Sequence, residues 1–299
     1  MNNIKINIPT VLLSFLPISI ILGSSVSLIN TVLFGLCFVL IYFIKNDIRI
    51  YDLKPIFLLI ILNLYLVFNS FISNDIMSGI YRNFGFARFI LFFLMINYLF
   101  FISEKNLRIL KIWSIIFFVV LIDIYIERFT GRNILGFGGI DNVIQIQPET
   151  RGYRVVSFFK TEPIPGAFLC GFCFIVVGFI LNFLKSKKIF KLLGFLIIFF
   201  CLIGVMVTGE RSNGLKALIG FSIFISIIDY VKLRDKILVF STLFIIFLLT
   251  VNFSDYVKYR YIDQLYTKIN TKDEREKFLN NSLYIKLYKS GFYVFKNNP

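Results

Sequence analysis

The sequence predicts an all-α, polytopic transmembrane helix bundle of about nine spans, and three observations predict it. Hydrophobic residues make up 58% of the 299-residue chain, with 38 phenylalanines among them. Charged residues make up only 16%, too few to cover the surface of a soluble domain of this length. Apolar runs of near-spanning length recur along the chain, separated by short polar or basic connections. The net charge of +15 fits the same picture, because lysines and arginines hold loops on one side of a membrane. Nucleic acid is therefore not an expected partner.

The first two runs, 9–22 and 27–44, are joined by the tight turn Gly23-Ser24-Ser25-Val26. Further runs follow at 55–72, 84–102, 112–126, 164–184, 192–207, 214–231 and 237–253. The first is a span rather than a signal peptide, since it lacks an A-x-A-like cleavage site and a second span follows at once. Residues 1–253 form the membrane bundle on this reading, with a longer outer segment at 127–163. Residues 254–299 form a second extracytoplasmic segment, after the ninth span.

Basic residues set the expected orientation. Lys5, Lys45, Arg49, Lys54, Lys105, Arg108, Lys111, Lys185, Lys187, Lys188, Lys191, Lys232, Arg234 and Lys236 all fall at one set of alternate connections. The short connections of the other set hold only Arg82 and Arg211. The first set is expected to face the cytoplasm, with the amino terminus inside.

Charge within the spans is placed unevenly. Arg88, Asp123 and Lys216 each lie about one turn in from an expected outer end, whereas Asp229 lies near an inner end beside Lys232. A charge costs about 2.5–3.5 kcal/mol at a helix centre and less at the rim, so such depth reflects energetics as well as function. Snorkelling alone accounts for any one of these residues. Three on one leaflet, beside two basic outer segments, point to a cationic cavity open to the outer face.

Two polar stretches supply the rest of that cavity. Thr208-Gly209-Glu210-Arg211-Ser212-Asn213-Gly214 interrupts two long apolar runs. Arg151-Gly152-Tyr153-Arg154 leads through Val155–Phe159 to Lys160-Thr161-Glu162-Pro163, where Pro163 and Pro165 open the sixth span. Glu162 would sit near the positive end of that helix. Arginine suits phosphate or diphosphate, since its planar fork donates two hydrogen bonds and stays charged at any relevant pH.

The order of these features resembles the O-antigen ligase and O-antigen polymerase family of bacterial membrane glycosyltransferases. The matching parts are Arg154-Val155-Val156-Ser157-Phe158-Phe159-Lys160-Thr161-Glu162-Pro163 with Gly166, the 208–214 turn, and the closing Phe292-Tyr293-Val294-Phe295-Lys296-Asn297-Asn298-Pro299. The resemblance implies a bacterial inner-membrane enzyme of surface polysaccharide assembly that needs neither metal nor other cofactor. An acceptor hydroxyl on a saccharide or a lipid A-core would attack a glycan carried on undecaprenyl diphosphate, and the lipid diphosphate would leave. The resemblance assigns Arg154 and Arg211 to the departing diphosphate. Arg88 and Lys216 are supporting candidates by depth, and Arg275 or Arg260 is a candidate third clamp.

The base is where the sequence departs from the family. The ligase branch is thought to use a histidine, and this chain has none. Glu162 and Glu210 are the carboxylates nearest the expected cations, and proximity to arginine is expected to lower their pKa. Glu210 is also a candidate partner of Arg211 or Lys216. The family would continue past the closing Asn-Pro into further spans, so the resemblance implies a carboxyl-terminally truncated chain.

Other chemistries find little support. Cys37, Cys170, Cys173 and Cys201 lie in apolar runs, and the Cys170-x-x-Cys173 pair lacks partner ligands, so packing is its expected role. Gly136-Phe137-Gly138-Gly139 lacks the strand-to-helix setting and following lysine of a phosphate loop. Tyr256, Tyr259, Tyr261 and Tyr266, interleaved with Lys258 and Arg260, are expected to float a helix at the headgroup level, with sugar stacking as the alternative. A transporter or flippase for lipid-linked saccharides explains the fold equally well. It would predict ionisable groups or broken helices at the midplane and an internal repeat, and the sequence has neither.

Overall fold

The structure, a computed structural model, describes residues 2–44, 54–72, 76–102, 106–138, 152–184, 188–229, 231–267 and 269–297. All regular structure among them is helical. Two compact units divide at Val119 and Val120, inside one long helix.

The first unit contains α1 (Asn2–Leu22), α2 (Ser24–Ile44), α3 (Lys54–Ile72), α4 (Ile76–Phe84), α5 (Ala87–Ile102) and the first part of α6 (Asn106–Thr130). Its core lies where α2 packs on α1 and α5, around Phe34, Phe38, Met95 and Leu99. Few polar groups enter, and several find partners there, although Asn30 Oδ1 is buried without one among the described residues. The Trp113 indole N–H donates to the Leu13 carbonyl at 2.8 Å, and the Asn30 amide donates to the Leu12 carbonyl at 3.2 Å. Residues 73–83, expected as a connection, instead include helix α4. Ile76, Ile80, Tyr81 and Phe84 recur at helical spacing there, and α4 packs against α3. Asn83 fixes the packing by donating to Leu66 O at 2.8 Å and Ser70 Oγ at 2.7 Å.

The second unit holds the rest of α6, then α7 (Pro165–Leu184), α8 (Lys188–Val207), α9 (Arg211–Ile227) and α10 (Leu233–Phe253). Its core is the seam of α7, α8 and α9, filled by Leu169, Val176, Ile198, Leu202, Phe221 and Ile225. Short segments follow: α11 (Asp255–Lys258), a π-helical turn over Tyr259–Asp263, and α12 (Gln264–Tyr266). Then come α13 (Lys272–Asn281) and α14 (Leu283–Asn297). The Thr271 side chain caps α13 by accepting from the Glu274 N–H at 3.2 Å.

The apolar runs fall mostly in helix, although residues 85 and 86 form a turn and α9 ends at Ile227, and nine spans is more than the described residues support. Six segments are long and apolar enough to cross a bilayer: Ser24–Ile44, Lys54–Ile72, Ile76–Phe100, Leu107–Thr130, Pro165–Asn182 and Leu233–Phe253. The apolar lengths Ile8–Leu22 and Gly194–Val207 are shorter, and α9 has 17 residues where about 20 are needed. The chain is thus an all-α, multi-pass membrane protein.

One boundary moves in a way that matters for the site. The fifth run was expected to end at residue 126, yet α6 continues to Thr130. Glu127 and Arg128 stay helical because partners from the following loop satisfy both side chains.

Candidate functional site

The site in the second unit is built up from α6. Asp123 and Glu127 stand one turn apart on one face of the helix, and both are fully buried. A buried carboxylate is tolerable only when its lone pairs are filled. Asp123 accepts from the Ile134 N–H at 2.8 Å and from the Ser157 hydroxyl. Glu127 accepts from the Val156 N–H at 3.1 Å and from the Ser157 N–H. Asn133 adds a third tie, donating its amide to the Ser157 carbonyl at 2.6 Å. Ser157, at φ 50°, is held in the left-handed region that a non-glycine residue adopts only when its surroundings impose it.

Those ties hold the preceding residues in place. The Tyr153 hydroxyl donates to the Glu127 carbonyl at 2.7 Å, and Arg128 Nη1 donates to the Tyr153 carbonyl at 3.1 Å. The Arg128 guanidinium lies over the ring of Tyr256, 4.1 Å from its centroid, and 5.6 Å from that of Tyr153. Such stacking stabilises a half-desolvated cation. Arg154 is half-buried. Its Nη2 donates to the Pro163 carbonyl at 2.9 Å, and its Nε is buried without a hydrogen-bond partner.

The 208–214 turn meets this loop at the start of α7. Gly209 takes φ +81°, which glycine adopts without steric cost. The Glu210 carbonyl accepts from the N–H groups of Asn213 and Gly214, at 3.1 and 3.0 Å, and so begins α9. Its side chain serves a different helix. Glu210 Oε1 accepts from the Gly166 N–H at 2.8 Å, in the first turn of α7, while Oε2 accepts from the Asn213 amide. An anion there also meets the positive end of each helix.

The segment after α10 closes over the turn. Arg260 Nε donates to the Gly209 carbonyl at 3.2 Å, and its Nη1 donates to Gln264 Oε1 at 3.0 Å. Tyr256 packs on Gly209 and Gly152, and Tyr261 packs on Gly214, so closely that a Cβ at any of the three glycines would collide with a ring. Arg260, Arg128 and Arg154 all lie near enough to act electrostatically on the Tyr256 phenol, and Arg211 and Arg260 on that of Tyr261. Four guanidinium groups from four segments thus gather about two tyrosines and one carboxylate. Burial raises both phenols above their ordinary range, against the pull of these arginines.

Two expectations are overturned at this site. Tyr256 does not float at a headgroup surface: it is 3% exposed, because its ring fills the space left by two glycines and carries Arg128. The carboxyl of Glu210 is shifted upward, not downward. Burial disfavours the charged form by more than the Gly166 and Asn213 hydrogen bonds and the Arg154 charge restore.

The structure brings together Arg154, Arg211 and Glu210 of the expected residues, with Arg260 nearby. Glu162 is exposed in the turn before α7, Lys216 is exposed on α9, and Arg275 is exposed on the polar helix α13. Arg88 belongs to the first unit, near the start of α5, where its guanidinium lies 4.8 Å from the Phe89 ring centroid. Arg151 lies outside the described residues. Asp123, already noted for its depth, proves to be a loop fastener. Glu127, Arg128 and Tyr153 had no assigned part, although Asp123-x-x-x-Glu127 in an apolar helix was a signal that two buried acceptors must find donors.

Beside Arg128, an apolar groove of ≈ 490 Å³ runs between the end of α6, α8 and α10. Phe129, Ile203, Val207, Leu249 and Phe253 supply most of its wall. The groove is apolar, with one guanidinium, that of Arg128, on its wall. Compared with protein-family models, curated proteins and solved structures, the chain matches none.

Proposed function

We propose that this protein is a membrane glycosyltransferase of surface polysaccharide assembly, acting on a glycan carried by undecaprenyl diphosphate. The observation that carries the reading is the gathering of Arg128, Arg154, Arg211 and Arg260 about Glu210, Tyr256 and Tyr261. Preorganised guanidinium groups in a poorly hydrated site stabilise the charge that grows on a departing diphosphate. The groove beside Arg128 suits the isoprenoid tail, so that one ligand would span both features. An O-antigen ligase or polymerase would place this site at the periplasmic face of a bacterial inner membrane, with the amino terminus in the cytoplasm.

In the reaction, an oxygen of the acceptor saccharide forms a bond to the anomeric carbon. The bond from that carbon to the diphosphate oxygen breaks, and the hydroxyl proton passes to a base. Glu210 and Glu162 are the candidate bases. The raised proton affinity of Glu210 favours it for that task, and exposure favours Glu162 for access. No metal is required when fixed cations neutralise the leaving group.

The test is direct. Purified full chain in nanodiscs is supplied with undecaprenyl-diphosphate-linked glycan and an acceptor saccharide or lipid A-core, and release of lipid diphosphate is followed. Release coupled to a new glycosidic bond supports the assignment. Movement of the intact lipid-linked glycan between leaflets, without release, would reassign the protein to transport.

A further inference from the structure

The last described helix, α14, carries an apolar face that is exposed among the described residues. At about 100° per residue, Leu283, Leu287, Tyr288, Phe292, Val294 and Phe295 fall on one half of its circumference. Lys286, Lys289 and Lys296 fall on the other half. The six apolar side chains are each 59–79% exposed. Its neighbour α13, of sequence KDEREKFLNN, is polar nearly all round and suits water on every side.

We propose that α14 lies in the plane of the membrane interface, with its apolar half sunk to the boundary between headgroups and acyl chains. Its lysines would then reach anionic lipid phosphates. Two observations select a lipid surface as the occupant. The helix carries three lysines and no acidic residue, which matches an anionic surface. The apolar face is rich in aromatic rings, with lysine stems free to snorkel along its margins. Six membrane-length helices elsewhere in the chain keep a bilayer within reach. This inference stands apart from the proposed transferase reaction.

The test uses the full chain in nanodiscs containing anionic phosphatidylglycerol, with Phe295→Trp on the apolar face of α14 and Asn280→Trp on α13. Lipids brominated near the headgroup or near the chain end serve as quenchers, and the parent chain, with Trp113 alone, is subtracted. The Phe295→Trp signal is expected to be quenched about twofold or more by shallow bromine relative to deep bromine. Asn280→Trp is expected to stay unquenched. Repeating the measurement with Phe292→Trp guards against a poorly folded variant. Lys286→Glu/Lys289→Glu/Lys296→Glu is expected to abolish the shallow quenching. Quenching of α14 by neither lipid would overturn the proposal, since water or another protein surface would then meet that face. Stronger quenching by the deep bromine would overturn it in favour of insertion across the bilayer.

Discussion

Glu210 Oε1 accepts a hydrogen bond from the backbone N–H of Gly166 at 2.8 Å, although the two residues lie 44 positions apart. The carboxylate so placed ends one helix's unmet need for an acceptor, and its own carbonyl starts another helix. The 208–214 turn is therefore fixed to the mouth of α7.

Gly166 tolerates no side chain in this arrangement. A Cβ there would lie 2.6 Å from Thr208 Oγ1 and 2.9 Å from the Glu210 carboxyl. Gly166→Ala is expected to destabilise the protein by about 1–3 kcal/mol, the usual cost of overpacking. Gly171, on the same helix, has open space around it, and its Ala variant is expected to be neutral or up to about 1 kcal/mol more stable. Thermal unfolding of both variants in one detergent checks the contrast. Equal stability of the two would remove the proposed fit.

Glu210 gives stability a pH dependence whose sign can be worked out. Its folded pKa lies above the ordinary 4.5, so folding favours the protonated form. That contribution is present in full below 4.5 and is lost as pH rises through the folded value. Unfolding temperature is expected to climb as pH falls from neutral towards 4.5, and Glu210→Gln should flatten that slope. A wild-type melting point that drops over the same range would contradict the assignment.

Much of this architecture was legible in the sequence, because continuous apolar runs leave helix as the only backbone that satisfies its own hydrogen bonds in lipid. Arg154 and the 208–214 turn were legible as charge at span ends, whereas the burial of Glu210 was not. Tyr256 was misjudged. Amphipathic composition describes a surface segment and a lid equally well, and only the packing on Gly152 and Gly209 separates the two. The extra turn of α6 was hidden likewise. Glu127 and Arg128 read as the start of a loop, and the hydrogen-bond partners that keep them helical come from residues about 25 to 30 positions later.

Ser157 is expected to be sensitive out of proportion to its size. Ser157→Ala removes the hydroxyl donor from a fully buried Asp123, at a cost of about 1–3 kcal/mol for the acceptor left short. Hydrogen exchange over residues 152–160 should rise in this variant. Unchanged protection there would mean that the loop is held by other means.

Arg154→Lys keeps the charge but loses the planar fork. Binding of undecaprenyl diphosphate, followed by native mass spectrometry in nanodiscs, is expected to weaken about tenfold to a hundredfold, or roughly 1.4–2.8 kcal/mol. Arg211→Lys should behave alike, whereas Arg275→Lys on exposed α13 should bind as the parent does. Equal affinity across the three variants would remove the clamp from the mechanism.

At Gly209 and Gly214 it is the lack of atoms that lets Tyr256 and Tyr261 pack. The hydroxyl ends of two tyrosines rest directly on bare main chain at these positions. A methyl group at either position would act as a wedge, lifting Tyr256 or Tyr261 and drawing Arg260 off the Gly209 carbonyl. Variation that looks trivial on paper would thus be felt at a guanidinium 51 positions along the chain from Gly209, without any charged residue having changed.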